Sequence, residues 1–543
     1  MALNKEKMKL WCKSKTNLAL LAVVILALII RLYHFFITAN QPLWWDEADY
    51  LAYAKNLAGF HVDWVVTPKH NSLYPFLFAV FFKLGMSEII AKFFIQLIPS
   101  IISVILVYLI AKEMYSDKKI ALITSFLAAV FWIILFNTVR FHVDIPALFF
   151  GLLAIYTFWT GYEKKQKIFG KISSHWAIPL TVLFVILTYS IRRGYIIFGI
   201  FFLIYLLATR KFSETIKDKY NWIGLALAIT LFFTVENTIF TSQLGEVSEG
   251  YYHKENPINF LPLQVFSSFF SNPYYQITSV LLYLFWIGLI IILANLFLSF
   301  GQIKKSNTAK ADLFNIISII TTLALFIFVL RTPDNFGESR WYLPLAFSTF
   351  ICIAKCSNAL FSIIKKHNYN LALFAIIIIL LFGGYYQIKY SNQLIKEKIG
   401  SFEGIRDAGL RIKEVSQENE IVIAMPAPQL SYYSERTVKR PRDLLGINDT
   451  NNVPFEPVLE KIKENPQIKY IIVSFSEPNH PDWMRNNDND IAQIGKGKIP
   501  FMESEVNFAT GQQDIKQSKT YDNVTFKIID VKNEVLIYEI IHQ

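Results

Sequence analysis

Charge is what this 543-residue chain has least of. Asp, Glu, Lys and Arg together make up 17%, while 53% of the residues are hydrophobic and 16% aromatic. A soluble globular protein carries about 25% charged residues. So little charge cannot cover that much apolar surface, which excludes a string of soluble domains and equally disorder, a coiled coil or a collagen. Cysteine is nearly absent, and three residues cannot build a disulfide scaffold. No internal repeat is visible. The first apolar run is too long for a signal peptide and lacks a small-residue cleavage site, so it reads as a retained anchor. The net charge is +11, and the placement of that surplus decides what it means.

What is present is a series of long apolar runs. A membrane span needs about 20 mostly apolar residues, and about eleven candidates follow one another near 17–38, 87–111, 119–137, 144–162, 176–191, 194–209, 221–240, 276–300, 313–331, 341–361 and 370–388. The fifth and sixth are short and separated only by Ile191-Arg192-Arg193-Gly194. Segment 72–85 is apolar but too short to cross, and is expected to lie at the interface. Lysine and arginine in short loops set orientation. The N-terminus holds Lys5, Lys7, Lys9, Lys13 and Lys15, and every second loop after it is basic: Lys112/Lys118/Lys119, Lys164/Lys165/Lys167/Lys171, Arg210/Lys211/Lys217/Lys219, Lys304/Lys305/Lys310 and Lys365/Lys366. The expectation is a multi-pass protein of the cell membrane with a cytoplasmic N-terminus and an external C-terminus. The positive charges then read as topology signals rather than a nucleic-acid surface.

The chain divides into a membrane core, 1–390, with a long external loop at 39–86, and an external tail, 391–543. The tail mixes polar stretches with short apolar runs. Residues 421–425, 470–474, 525–529 and 535–539 read as strands, and 402–415 and 455–465 as amphipathic helices, which suggests a small α/β domain. It contains the glycosylation acceptor patterns Asn448-Asp-Thr450 and Asn523-Val-Thr525, which are frequent by chance. Cys352 and Cys356, one helical turn apart in a span, read as small packing residues.

Four external clusters are candidates for chemistry. The first loop opens with Trp44-Trp45-Asp46-Glu47-Ala48-Asp49-Tyr50, placing three carboxylates within four residues just past a span. One of them in a partly dry pocket would take a proton from an acceptor hydroxyl; alternatively, they cap the helix expected over 46–58. Trp44 and Trp45 suit an interface anchor or a sugar-stacking face. The second loop carries Arg140-Phe-His142-Val-Asp144, a cavity-facing group or an Arg140–Asp144 pair. Arg192 and Arg193 interrupt an apolar run, either to grip a phosphate or to snorkel to headgroups. The last cluster is Glu338-Ser-Arg340-Trp-Tyr342. Positive-inside bias would place arginine on the other face, so this convergence argues for an external pocket. Nucleotide sugars are not expected there, so a donor would arrive through the lipid.

At these residues the sequence resembles the polytopic GT-C glycosyltransferases, and within them the protein O-mannosyltransferase and lipid A aminoarabinose transferase branch. The resemblance covers roughly 17–390. It rests on Arg31 ending the first span, Trp45-Asp46-Glu47-Ala-Asp-Tyr50 opening a long external loop, Ser72-Leu-Tyr-Pro75, Arg140-Phe-His-Val-Asp144 and Glu338-Ser-Arg340-Trp-Tyr-Leu-Pro344. It implies an α-helical polytopic membrane protein. Asp46 would be the catalytic base, with Glu47 positioning the acceptor or orienting Asp46. Arg140 with Arg192, Arg193 or Arg340 would hold the donor phosphate. Trp45, Tyr50, His142, Asp144, Glu338 and Tyr342 would position substrate. The implied reaction moves a sugar, with inversion, from a polyprenyl phosphate to an acceptor hydroxyl on protein, a lipid-linked glycan or a glycolipid. Mannose leads by family frequency alone. No cofactor is expected; a divalent-metal site built on His61, His70, His142 and His253 lacks tight ligand spacing. The chain departs from protein O-mannosyltransferases in having no room over 241–275 for an inserted β domain. Two alternatives stand: a transporter or flippase, and an oligosaccharyltransferase-like enzyme, whose Trp-Trp-Asp motif is matched only in the first loop.

Overall fold

The structure is a computed structural model. It describes residues 13–60, 62–64, 72–210, 217–240, 269–270, 279–325, 336–447, 453–474, 481–484, 496–498, 505–507, 518–533 and 535–543. His61, His70, His253 and the pattern at 448–450 lie outside these residues. Contacts group the chain into two compact units, one formed by 1–39, 71–73 and 89–396, the other by 40–70, 74–88 and 397–543. The long first loop, which the sequence attaches to the core, therefore groups with the C-terminal segment.

The first unit is a helix bundle. Among the described residues, seven helices are long and apolar enough to cross a membrane: Lys15–Ile37, Glu88–Tyr115, Asp144–Glu163, Ser174–Ile191, Val280–Leu298, Arg340–Lys365 and Tyr369–Lys398. The pair Lys118–Val130 and Trp132–Thr138, bent by 49°, makes an eighth if counted as one span. The three other expected spans appear as helices Arg193–Thr209, Lys219–Thr238 and Asn307–Ala324, which among the described residues fall short of the same length and apolarity. The first of these is too short. The other two carry inward polar groups: Glu236 in one, and Lys310, Asp312 and Asn315 in the other, all buried. These lower the mean hydropathy without exposing charge to lipid.

Helix starts are set by side chains that accept the first orphan amides. Asp117 accepts from Lys119 N–H at 2.7 Å and Asp218 from Tyr220 N–H at 3.0 Å. Packing is close where glycine permits. A Cβ at Gly288 would stand 1.8 Å from the Cys352 carbonyl oxygen, so helix Val280–Leu298 meets Ala346–Lys365 backbone to backbone. Cys352 and Cys356 are buried free thiols.

Two polar clusters mark opposite ends of Asp144–Glu163. Asp144 belongs to the cluster described below. Glu163 bridges Arg210 at 2.6 Å and Lys310 at 3.2 Å.

The second unit contains helices Trp45–Ala58 and Tyr74–Lys83 and a six-stranded sheet of order β2-β1-β3-β8-β7-β6. Strand β1 (Ile421–Ala424) lies parallel to β2 (Thr437–Lys439) and β3 (Ile468–Ser474). Antiparallel pairing then joins β3 to β8 (Val535–His542), β8 to β7 (Val524–Lys532) and β7 to β6 (Ser518–Tyr521). A separate short pair is β4 (Lys496–Lys498) and β5 (Glu505–Asn507). The sheet buries Ile423, Ile471, Val473, Phe526, Leu536 and Tyr538 in one core with Val458 and Ile462, from the amphipathic helix Phe455–Glu464. Helix Glu403–Val415 buries Ile405, Ala408 and Ile412. The tail is thus the small α/β domain its alternation indicated. Asn523 sits exposed beside the β6–β7 turn.

Candidate active site

Helix Trp45–Ala58 presents its three acids differently. Glu47 is buried, and its carboxylate accepts from the Trp44 backbone N–H at 3.0 Å. It therefore caps the helix that carries it. Asp49, also buried, accepts from Trp64 Nε1 at 2.8 Å. Asp46, in the first turn, is half-buried. Tyr50 is buried against Tyr74, ring centroids 5.3 Å apart.

The same unit holds this helix at several points. The Leu43 N–H donates to the Tyr433 hydroxyl at 2.8 Å. Lys55 Nζ donates to the Tyr432 carbonyl at 3.1 Å and to Glu435 at 2.8 Å, and Lys413 reaches the other Glu435 oxygen at 2.6 Å. Burial pushes the Lys55 ammonium below its ordinary pKa, against the opposing pull of Glu435. Burial also raises Glu435, but the hydrogen bonds from Lys413 and Lys55 outweigh it and hold the carboxyl below its ordinary value. The Arg440 guanidinium stands 5.7 Å from the Trp45 ring and 5.6 Å from the Trp64 ring.

In the bundle, the turn 137–144 and three helix ends bring most of the basic residues together. His142 is buried; its Nδ1 lies 3.0 Å from Asn137 Oδ1. Arg340 Nη1 lies 2.9 Å from His142 Nδ1 and 3.1 Å from Nε2. Asp144 forms an ion pair with Arg192. The Tyr195 hydroxyl donates to Asp144 at 3.4 Å and to the Arg340 carbonyl at 3.2 Å. Arg140 is fully buried in the same turn, its guanidinium 5.5 Å from the Phe136 ring. Arg193 departs from this group. Arg192 is extended, at φ −145° and ψ 109°, between a helix end and the 3-10 turn that Arg193 begins. The two neighbours therefore diverge, and Arg193 pairs with Glu236 at 3.4 Å and covers the Phe240 ring at 3.9 Å. Tyr342 is buried, 6.4 Å from Phe269. Glu338 falls in the turn Phe336–Leu345.

Sequence reasoning passed over Lys92, Gln96, Tyr195, Glu236, Trp64 and Arg440. Lys92 Nζ donates to the Val139 carbonyl at 2.9 Å, and Gln96 Nε2 donates to the His142 carbonyl at 2.5 Å. Lys92 precedes the π-helical turn Phe93–Leu97 and Gln96 lies within it, and both secure the turn that carries Arg140. Their signal was available: a lysine and a glutamine inside an apolar run rarely face lipid. Chemically, guanidinium groups around one turn suit the oxygens of a phosphate, as donors that need no reorganisation when charge develops.

Over residues 69–236 the sequence matches the family model described as dolichyl-phosphate-mannose-protein mannosyltransferase. No curated protein matches the sequence. Solved structures do resemble the fold. ArnT from Cupriavidus metallidurans bound to undecaprenyl phosphate aligns with a TM-score of 0.56 at 10% identity, over 97% of this chain and 98% of that one. The archaeal oligosaccharyltransferase AglB from Archaeoglobus fulgidus, in complex with an inhibitory peptide and a dolichol-phosphate, aligns with a TM-score of 0.55 at 14% identity, over 83% and 69%. The mycobacterial arabinofuranosyltransferase AftD aligns with a TM-score of 0.52 at 11% identity, over 96% and 41%. The fold is that of ArnT and AglB, and over residues 69–236 the sequence is similar to the dolichyl-phosphate-mannose-protein mannosyltransferase family.

Proposed function

We propose that this chain is a membrane glycosyltransferase that takes a sugar from a polyprenyl-phosphate donor and places it on an acceptor hydroxyl at the extracytoplasmic face. Asp46 removes the hydroxyl proton. The acceptor oxygen forms a bond to the anomeric carbon as the bond to the phosphate oxygen breaks. The lipid phosphate leaves with the electron pair, and the anomeric configuration inverts. Arg140, Arg192 and Arg340 bind the phosphate and stabilise the charge it gains, His142 and Asp144 order the arginine cluster, and Tyr342 helps to position the substrate. Trp45 offers an aromatic face to the sugar. Mannose is the first sugar to test, and protein, lipid-linked glycan and glycolipid are the acceptor classes.

The observation that carries this reading is the grouping of Arg192, Arg340, His142 and Asp144 around the turn of the buried Arg140. Purified protein incubated with a panel of polyprenyl-phosphate sugars and the three acceptor classes should release the free lipid phosphate. No release from any donor would overturn the reading. Transfer is proposed to need no metal, so a chelator should leave the rate unchanged.

The likeness to AglB supports a second reading, in which a whole glycan moves from a lipid pyrophosphate. A pyrophosphate-linked oligosaccharide that is consumed, with loss of activity on chelation, would favour it.

A further inference from the structure

Residues far apart in sequence hold the helix that begins with Trp45 and Asp46. Trp45 immediately precedes Asp46 and faces the Arg440 guanidinium at 5.7 Å, while Trp64 faces it at 5.6 Å. Arg440 is 9% exposed, and its backbone N–H donates to Asp443 at 3.2 Å in the turn that opens helix Pro441–Leu445. Trp64 in turn donates its indole N–H to Asp49, one helical turn past Asp46. Arg440 therefore holds both indoles, and both are tied to the helix that carries Asp46, one by sequence and one by a hydrogen bond. A planar guanidinium is suited to this, because it is attracted to aromatic faces and stays charged when partly dehydrated.

We propose that the C-terminal sheet domain is a positioning element for the catalytic loop, and that Arg440, gripping Trp45 and Trp64, is the residue that fixes the angle of Asp46. The proposal rests on the transferase reading for its kinetic consequence, though not for its structural one. The Leu43–Tyr433 and Lys55–Glu435 contacts fix where the helix sits. Arg440 acts at the end that bears the base. A base displaced by about 1 Å loses on the order of a hundredfold in rate, while donor binding is untouched.

The test uses the full chain in detergent or nanodiscs, as wild type and as Arg440→Ala, Arg440→Lys and Arg442→Ala. Two quantities are read: donor KM and kcat, and backbone hydrogen exchange over 44–58. Arg440→Ala should lower kcat by about ten- to a hundredfold, leave donor KM within about twofold, and speed exchange over 44–58. Arg440→Lys should recover part of both, and Arg442→Ala should change neither. A raised donor KM with kcat retained would overturn the proposal, because Arg440 would then be a donor ligand. Unchanged exchange would also overturn it, whatever the kinetics. If wild-type protein turned over no donor while Arg440→Ala still loosened 44–58, the transferase reading would fail and the positioning role would stand. If Arg440→Ala did not fold, Arg440→Lys would decide on the same readouts.

Discussion

Arg31 Nη1 donates to the carbonyl of Ala129 at 2.8 Å, across 98 residues of sequence. Its Nη2 reaches the Ala128 carbonyl at 3.1 Å, and its Nε reaches Ser100 Oγ at 2.7 Å. The two carbonyls are released where helix Lys118–Val130 ends at the extended residue Phe131. Beyond the break, the Trp132 N–H donates to Gln387 Oε1 at 3.3 Å. A broken helix in a membrane survives only where freed backbone groups find protein partners, and Arg31 supplies them for two carbonyls.

Arg31→Met should therefore destabilise the bundle by about 2–6 kcal/mol, from two buried acceptors at about 1–3 kcal/mol each. Arg31→Lys should recover little, because one ammonium cannot span the fork. Thermal unfolding in detergent checks this; an unchanged midpoint would show that the break is satisfied without Arg31.

Asp46→Asn should abolish transfer while leaving expression and membrane insertion intact. Glu47→Ala should be milder in mechanism: it removes the helix cap, at about 0.5–2 kcal/mol, and slows the reaction through the helix end. Turnover retained in Asp46→Asn would remove Asp46 as the base.

The divergence of two adjacent arginines predicts opposite phenotypes. Arg140→Ala, Arg192→Ala and Arg340→Ala should each raise donor KM or lower kcat/KM by on the order of tenfold or more, the range for losing a charged hydrogen bond worth about 1.5–3 kcal/mol. Arg193→Ala should leave donor KM unchanged and lower the unfolding midpoint, because it removes the ion-pair partner of the buried Glu236, leaving the Tyr189 hydroxyl as its donor. A kinetic titration of donor across the four variants separates the two groups.

The Lys55–Glu435–Lys413 bridge should make the second unit acid-sensitive. Glu435 is depressed in the folded protein, so its stabilisation is fully present above the ordinary glutamate pKa and is lost as pH falls through the lower folded value. Glu435→Gln should remove that part of the acid sensitivity, read as exchange over 44–58 against pH. The same acid loss in Glu435→Gln would assign it to other carboxylates.

Gly288→Val should separate two helices, since even a Cβ would stand 1.8 Å from the Cys352 carbonyl oxygen. Gly288→Ala should already lower stability, and valine should lower it further, which unfolding midpoints will order.

Much of this was legible in the sequence because it is local. Apolar runs gave the helices, and the four expected strands coincide with β1, β3, β7 and β8, since alternation and turn chemistry act over a few residues. The convergence of Arg340 on the turn at 137–144 was anticipated from charges that defy the loop pattern. What stayed hidden depends on backbone direction or distant pairing. Arg192 and Arg193 look equivalent until the extended backbone at Arg192 sends them apart. Glu47 and Asp49 look equivalent to Asp46 until their hydrogen bonds are seen. Lys55 and Glu435 are 380 residues apart, and nothing in either neighbourhood announces the other.

That distance has a consequence for biogenesis. Asn40 accepts from Arg406 and Leu43 donates to Tyr433, 366 and 390 residues later. A ribosome adds about 5–20 residues per second, so the first loop waits on the order of tens of seconds for its partners to be made. During that interval the helices can insert and pack, but the segment bearing Asp46 lacks the contacts that fix it. The segment bearing Asp46, among the first to be made, thus gains these contacts only once the C-terminal segment has been synthesised.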